Sequence, residues 1–164
     1  MSCEALRQEL TEVLFYNLMR LAVDFYLIRP CRDNSIATKA AILRGLNLAK
    51  ESNKKLILVV SAFSQARDSG CLRDAIGVAA FAALNKNRRV VICSVDVHLM
   101  TTKSVADIGL GFQGVVVYLW PQEKTLRTIA TSIPNLKAVI ALEWQPESLE
   151  GWRRDMKGTL VALE

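Results

Sequence analysis

Residues 56–60 read Leu56-Ile57-Leu58-Val59-Val60, with Lys54 and Lys55 before them and Ser61 after. Five apolar residues in an unbroken run, without alternation, are the pattern of a strand buried on both faces. The same kind of run recurs at Val90–Val95, Val115–Trp120 and Ala138–Trp144. Between these runs lie helix-like segments over residues 71–86, 102–112, 122–133 and 147–157. Strands that return every 25–35 residues or so, with helices between them, define βαβ units and a parallel sheet covered on both sides.

Upstream of this stretch, Asp33, Asn34 and Ser35 offer helix caps, and Ile36, Ala40, Ile42, Leu43, Leu46 and Leu48 form an apolar stripe that Asn53 closes. Residues 21–28 (LAVDFYLI) are rich in strand formers and stop at Arg29-Pro30. They read as a first strand, the alternative being a continuation of the preceding helix. That N-terminal helix is expected over residues 3–20, where Ala5, Leu6, Leu10, Val13, Leu14, Leu18 and Met19 recur at helical spacing.

The expectation is therefore an α/β three-layer sandwich. Its mostly parallel sheet has four or five strands, flavodoxin-like or Rossmann-like, with an extra N-terminal helix. A flavodoxin-like order of 2-1-3-4-5 would make the first strand central. The whole chain, 1–164, reads as one domain: helix 1–20, βα repeats 21–157 and a tail 158–164. The apolar end of that tail, from Thr159, would add an edge strand or pack into a partner subunit.

Composition narrows the class. With 51% hydrophobic and 23% charged residues the chain is too apolar for disorder, and 8 Gly with 4 Pro exclude collagen-like and low-complexity architectures. No run approaches the roughly 18 apolar residues of a membrane span. The segment Val13–Ile28 is broken by Asn17, Arg20 and Asp24. The opening residues MSCEALRQEL lack the basic start and apolar stretch of a secretory signal, so the reading is cytoplasmic with no membrane partner. Cys3, Cys31, Cys71 and Cys93 contain no CxxC pair and read as reduced thiols. His98 is the single histidine, which excludes a Cys₂His₂ zinc site. No metal is expected, and no cofactor is identified.

The net charge of +5 is unevenly placed. Residues 25–95 hold twelve Lys and Arg against four Asp and Glu, whereas residues 101–164 hold seven of each. A basic half suits an anionic partner or serves solubility. The basic residues form no known nucleic-acid module, so a nucleotide or other phosphate-bearing small molecule is the expected partner, alongside a second copy of the chain.

In open parallel sheets ligands bind beyond the carboxyl ends of the strands. That rule selects Arg29 and Arg32 after the first strand, an arginine pair able to clamp a carboxylate or phosphate. After the second strand it selects the polar loop Ser61–Gly70, where Ser61, Ser64, Arg67, Asp68 and Ser69 are candidates for anion binding. The loop contains no GxxxxGK[ST] and the chain no GxGxxG. An ordinary connection capped by Asp68 or Ser69 is the alternative. After the third strand come Ser94, Asp96 and His98, an acid beside the only imidazole and thus a candidate for acid–base chemistry. No GxSxG elbow supplies a nucleophile. After the fourth and fifth strands come Pro121, Gln122, Glu123, Glu143, Trp144 and Gln145. Cys71 and Cys31 sit at a helix start and a strand end, positions that suit a reactive thiol. Trp144, Trp152, Arg153 and Arg154 read as a stacking segment or, alternatively, as anchors of a terminal helix.

The span Leu56–Val95 resembles a stretch of TIR-like and nucleoside deoxyribosyltransferase-like domains. The matching residues are Asp68, Ser69, Asp74 and the run Arg88-Arg89-Val90-Val91-Ile92. The resemblance covers about 40 residues and implies chemistry at an N-glycosidic bond, with Asp74 or Asp68 stabilising positive charge on the sugar and Ser61 or Ser64 orienting it. Three functions are thus carried forward: binding of an anionic, nucleotide-like ligand without a catalytic motif; a protein-interaction or oligomeric subunit; and glycosidic-bond chemistry.

Overall fold

The run at residues 56–60 is an interior strand of the sheet, paired on both sides. The computed structural model describes residues 11, 14, 23–30, 34–105, 107–108, 112–133 and 135–163. Thr11 and Leu14 are helical; the rest of the N-terminal helix expected over 3–20 lies outside the described residues, as do Cys3, Cys31, Arg32 and Asp33. The strands are β1 (Asp24–Ile28), β2 (Lys55–Val60), β3 (Arg89–Ile92), β4 (Val95–Thr101), β5 (Gly114–Leu119), β6 (Leu136–Leu142) and β7 (Thr159–Val161). They form one sheet in the order β3-β4-β2-β5-β6-β1-β7. All neighbours are parallel except β3 and β4, which form a hairpin.

Burial follows position in the sheet. Leu56–Val60 of β2 and all of β5 are buried on both faces, as the unbroken apolar runs require. In β4 only Val95, Val97 and Leu99 are buried, and alternate residues are partly open because one face of this margin is less covered.

Helices cover both faces. The long helix α1 (Asn34–Glu51) lies on one side with α2 (Phe63–Arg67), α3 (Gly70–Ile76) and α4 (Val78–Asn87). Ala41, Ile42, Leu46, Leu72 and Leu84 of that layer meet Leu58, Val97, Val117 and Ile140 of the sheet. The opposite side carries α5 (Thr102–Val105), α6 (Glu123–Ser132) and α7 (Glu150–Asp155). There Val105, Leu126, Ile129 and Trp152 meet Leu27, Val59, Tyr118 and Val139. Each fully buried aliphatic side chain stabilises the fold by about 1.5–3 kcal/mol, so the two apolar faces supply the main driving force. Gly45 lets α1 approach the sheet, because a Cβ there would stand 2.5 Å from Val117 Cγ2.

The structure corrects several expectations in detail. Residues 24–28 are a strand, but β1 lies between β6 and β7, far from β2, so the 2-1-3-4-5 order does not hold. Its only described backbone partners are the last two strands. The run at 90–95 is not one strand. Cys93 and Ser94, both with positive φ (49° and 66°), turn the chain back between β3 and β4. The helix expected over 71–86 is divided at Gly77, whose φ of 85° interrupts it. The 61–70 loop contains α2, and the tail contains the edge strand β7. The seven strands among the described residues thus exceed the expected five by the hairpin partner and the tail. No helix among the described residues is long and apolar enough to cross a membrane.

Candidate functional site

The chain leaves β2 towards β4 on one side and leaves β5 towards β6 on the other, so the winding reverses between β2 and β5. Side-by-side strands whose connections diverge leave a gap above their carboxyl ends. A crevice of about 460 Å³ occupies that gap. Ser61 and Gln65 line it after β2, Trp120–Glu123 after β5, and Trp144, Gln145, Ser148 and Leu149 after β6.

Local geometry explains how these groups reach the opening. Trp120 has φ 56°, a left-handed conformation unusual for a bulky residue, and its N–H donates to the Leu142 carbonyl at 3.0 Å. The turn at Trp120 leads directly into buried Pro121 and then α6. Trp144 follows β6 and is 61% exposed. The two indoles meet edge to face with centroids 5.9 Å apart. Gln65 Oε1 accepts from the Ser61 N–H at 3.1 Å, which fixes that wall. Gln122 is the N-cap of α6, and its side chain makes no cap hydrogen bond.

The wall after β6 is held from behind. Glu143 is 1% exposed, and its Oε1 accepts the Leu149 N–H at 3.0 Å. Its Oε2 stands 3.5 Å from Arg29 Nε, an ion pair without a hydrogen bond. The other end of Arg29 pairs with Glu150, which is also held by Arg153. The Arg153 hydrogen bond keeps the Glu150 carboxyl below the usual glutamate range. Beside the crevice, Arg127 joins Glu123 to Asp155, with 2.6 Å to each.

This arrangement distributes the sequence candidates unevenly. Ser61 lies in the crevice, with Pro121, Gln122, Glu123, Trp144 and Gln145. Arg29 is not a free clamp; it is engaged by Glu143 and Glu150. Ser64, Arg67, Asp68 and Ser69 do not line the crevice. Arg67 pairs with its neighbour Asp68 at the surface. Ser69 Oγ caps α3 by accepting the Leu72 N–H at 3.1 Å. Asp74 stands beside Arg73 at 3.6 Å, also outside the crevice.

Ser94, Asp96 and His98 were expected beyond a carboxyl end. The hairpin corrects this, because Ser94 sits in the turn at the amino end of β4, with Asp96 and His98 inside the strand. Asp96 accepts from Arg89 at 2.7 Å and contacts His98 Nε2 at 3.0 Å. Cys71 is partly buried and Cys93 is exposed in the hairpin turn, both as free thiols. Trp152 is fully buried against Phe25, edge to face at 5.8 Å, and so anchors α7. Among the described residues no three His, Cys, Asp or Glu side chains gather where a metal could be held.

Three crevice residues, Trp120, Ser148 and Leu149, escaped sequence reasoning. Trp120 read as the last apolar residue of a strand; its position before Pro121 was the available signal of a turn. Ser148 carried no signal. No protein-family model, no curated protein and no solved structure matches the chain.

Proposed function

We propose that this chain is a ligand-binding α/β domain that takes a nucleotide-like molecule in the crevice above β2, β5 and β6. The observation that carries the reading is the Trp120–Trp144 pair at the reversal of winding, with Trp144 open to solvent. An exposed indole offers a heterocyclic base a stacking surface worth about 1–3 kcal/mol. Gln65, Gln122 and Gln145 bring amides, and Ser61 and Ser148 bring hydroxyls, groups suited to the edges of a base and to a sugar.

The anionic part has a narrower basis. Among the described residues the crevice lining contains no Lys or Arg, and its one carboxylate there, Glu123, is engaged by Arg127. A phosphate would therefore rest on the first-turn N–H groups of α6, which the Gln122 side chain leaves uncapped. Recognition led by base and amide groups, with a secondary contribution from phosphate, fits this lining better than an arginine clamp. Among the described residues no nucleophile with an adjacent base lines the crevice, and the reading is binding without covalent catalysis.

The test is a thermal melt with nucleotides, the corresponding nucleosides and inorganic phosphate. A ligand at about 100 times its Kd adds about 2.7 kcal/mol. That raises Tm by about 5–10 °C for a chain of this size. Nucleotides and nucleosides should both shift the melt, and Trp144→Ala should abolish the shift. A shift produced equally by phosphate alone, or one that survives Trp144→Ala, overturns the reading.

A further inference from the structure

Most of the charge surplus of the chain lies in residues 34–88. Residues 34–88, which supply α1 to α4, contain nine Lys and Arg but three Asp and Glu. Residues 114–157, which supply α6 and α7, contain six against five. On α1 the surplus has an order. Ile36 is 49% exposed and Leu43 is 46% exposed, and Lys39, Asn47 and Lys50 are also open to solvent. At about 100° per residue, Leu43 and Lys50 fall within about 40° of Ile36, and Lys39 within about 60°. Two apolar side chains and two cations therefore share the outer strip of one helix.

Nothing on the described surface neutralises that strip. Glu51, in the final turn, is the sole acid of α1. None of the ion pairs among the described residues involves Lys39 or Lys50. Arg44, on one flank, lies over the Tyr26 ring at 4.5 Å.

We propose that the outer face of α1 docks an acidic amphipathic helix of a partner protein. Charge complementarity selects the occupant. A second copy presenting this same face would set its own cations against Lys39 and Lys50. A nucleic-acid backbone would satisfy Lys39 and Lys50 but would leave Ile36 and Leu43 against phosphates. A helix with apolar residues at three- and four-residue spacing, flanked by Glu, covers the apolar pair and meets both lysines. The proposal is independent of the crevice.

The test uses the full chain and two labelled synthetic peptides of identical composition. One has Leu at helical spacing flanked by Glu; the other is scrambled to break the stripe. Fluorescence anisotropy should show the striped peptide binding at least about tenfold more tightly than the scrambled one. Lys39→Glu with Lys50→Glu should weaken it at least about tenfold, and Leu43→Ser about fivefold, with added salt weakening only the charge-dependent part. The milder Lys39→Ser, confirmed folded by its melt, should move affinity the same way. Equal binding of both peptides, indifference to Leu43→Ser, preferential binding of duplex DNA, self-association through this face or no binding at low salt each overturns the proposal.

Discussion

The Trp144 ring stands edge-on to the Trp120 ring, with 85° between their planes and 5.9 Å between centroids. Such a pair adds about 0.5–1.5 kcal/mol beyond area burial. Because Trp144 is 61% exposed, Trp144→Ala should lower Tm by only a few degrees. It should also remove the near-ultraviolet circular dichroism of the coupled indoles. A spectrum unchanged by the substitution would show that the rings do not meet in solution.

Glu143 is the costlier residue to remove. Replacement by Leu strands the Leu149 N–H and leaves Arg29 with one partner. Breaking a buried pair costs about 3 kcal/mol or more, here towards the low end because Arg29 is partly exposed. Urea titrations should show Glu143→Leu as strongly destabilising. Adding Arg29→Met should recover part of the loss; strict additivity of the two changes would argue against coupling between them.

At Gly45 two effects oppose each other. Alanine favours a helix interior over glycine by about 1 kcal/mol. The added Cβ would stand 2.5 Å from Val117 Cγ2 and 3.0 Å from Leu56 Cδ1, and overpacking of this kind costs about 1–3 kcal/mol. Gly45→Ala should therefore destabilise by about 1 kcal/mol net, measured by chemical denaturation. A more stable variant would mean that α1 rides farther from the sheet.

The β3–β4 turn invites the opposite change. Cys93 and Ser94 occupy left-handed conformations that Asn and Gly adopt with less strain. The double substitution Cys93→Asn, Ser94→Gly should stabilise by about 1 kcal/mol and raise Tm by about 2–4 °C. An unchanged or lower melting temperature contradicts this turn geometry.

Asp96 gives stability a pH dependence. Burial pushes its carboxyl up, but hydrogen bonds from Arg89 and His98 outweigh burial and hold it below the ordinary aspartate value of 3.8. The folded form thus binds this proton less readily than the unfolded form. The resulting stabilisation is complete above pH 3.8 and is lost as pH falls through the lower folded value. Denaturation of the protein and of Asp96→Asn should differ at neutral pH and converge in acid. A gap that stays constant into acid would remove the assignment.

The interior strands were legible because burial on both faces demands apolar runs: Leu56–Val60 is buried as expected, and of the expected run Val115–Trp120 all but Trp120 is buried. Pairing order was less legible. Nothing in Asp24–Ile28 specifies that its neighbours are β6 and β7, since one parallel apolar strand fits beside another equally well. The β3–β4 turn was hidden because Cys93-Ser94 lacks the Asn-Gly signature of its turn type. At the crevice, the carboxyl-end rule selected Ser61, Gln122, Glu123, Trp144 and Gln145, which line it. It also selected Arg29, Arg67 and Asp68, whose engagement by neighbouring charges depends on contacts that spacing alone does not encode.

The position of β1 shapes how the molecule is made. On the ribosome this strand emerges long before its neighbours, for Asp24 pairs with Ala138 and Tyr26 with Thr159. Until those partners are synthesised, Leu27 and Ile28 have no strands beside them. Contacts so distant along the chain close slowly and leave apolar edges open meanwhile. Translation speed through residues 29–161 therefore governs how long the nascent chain carries an unfinished sheet.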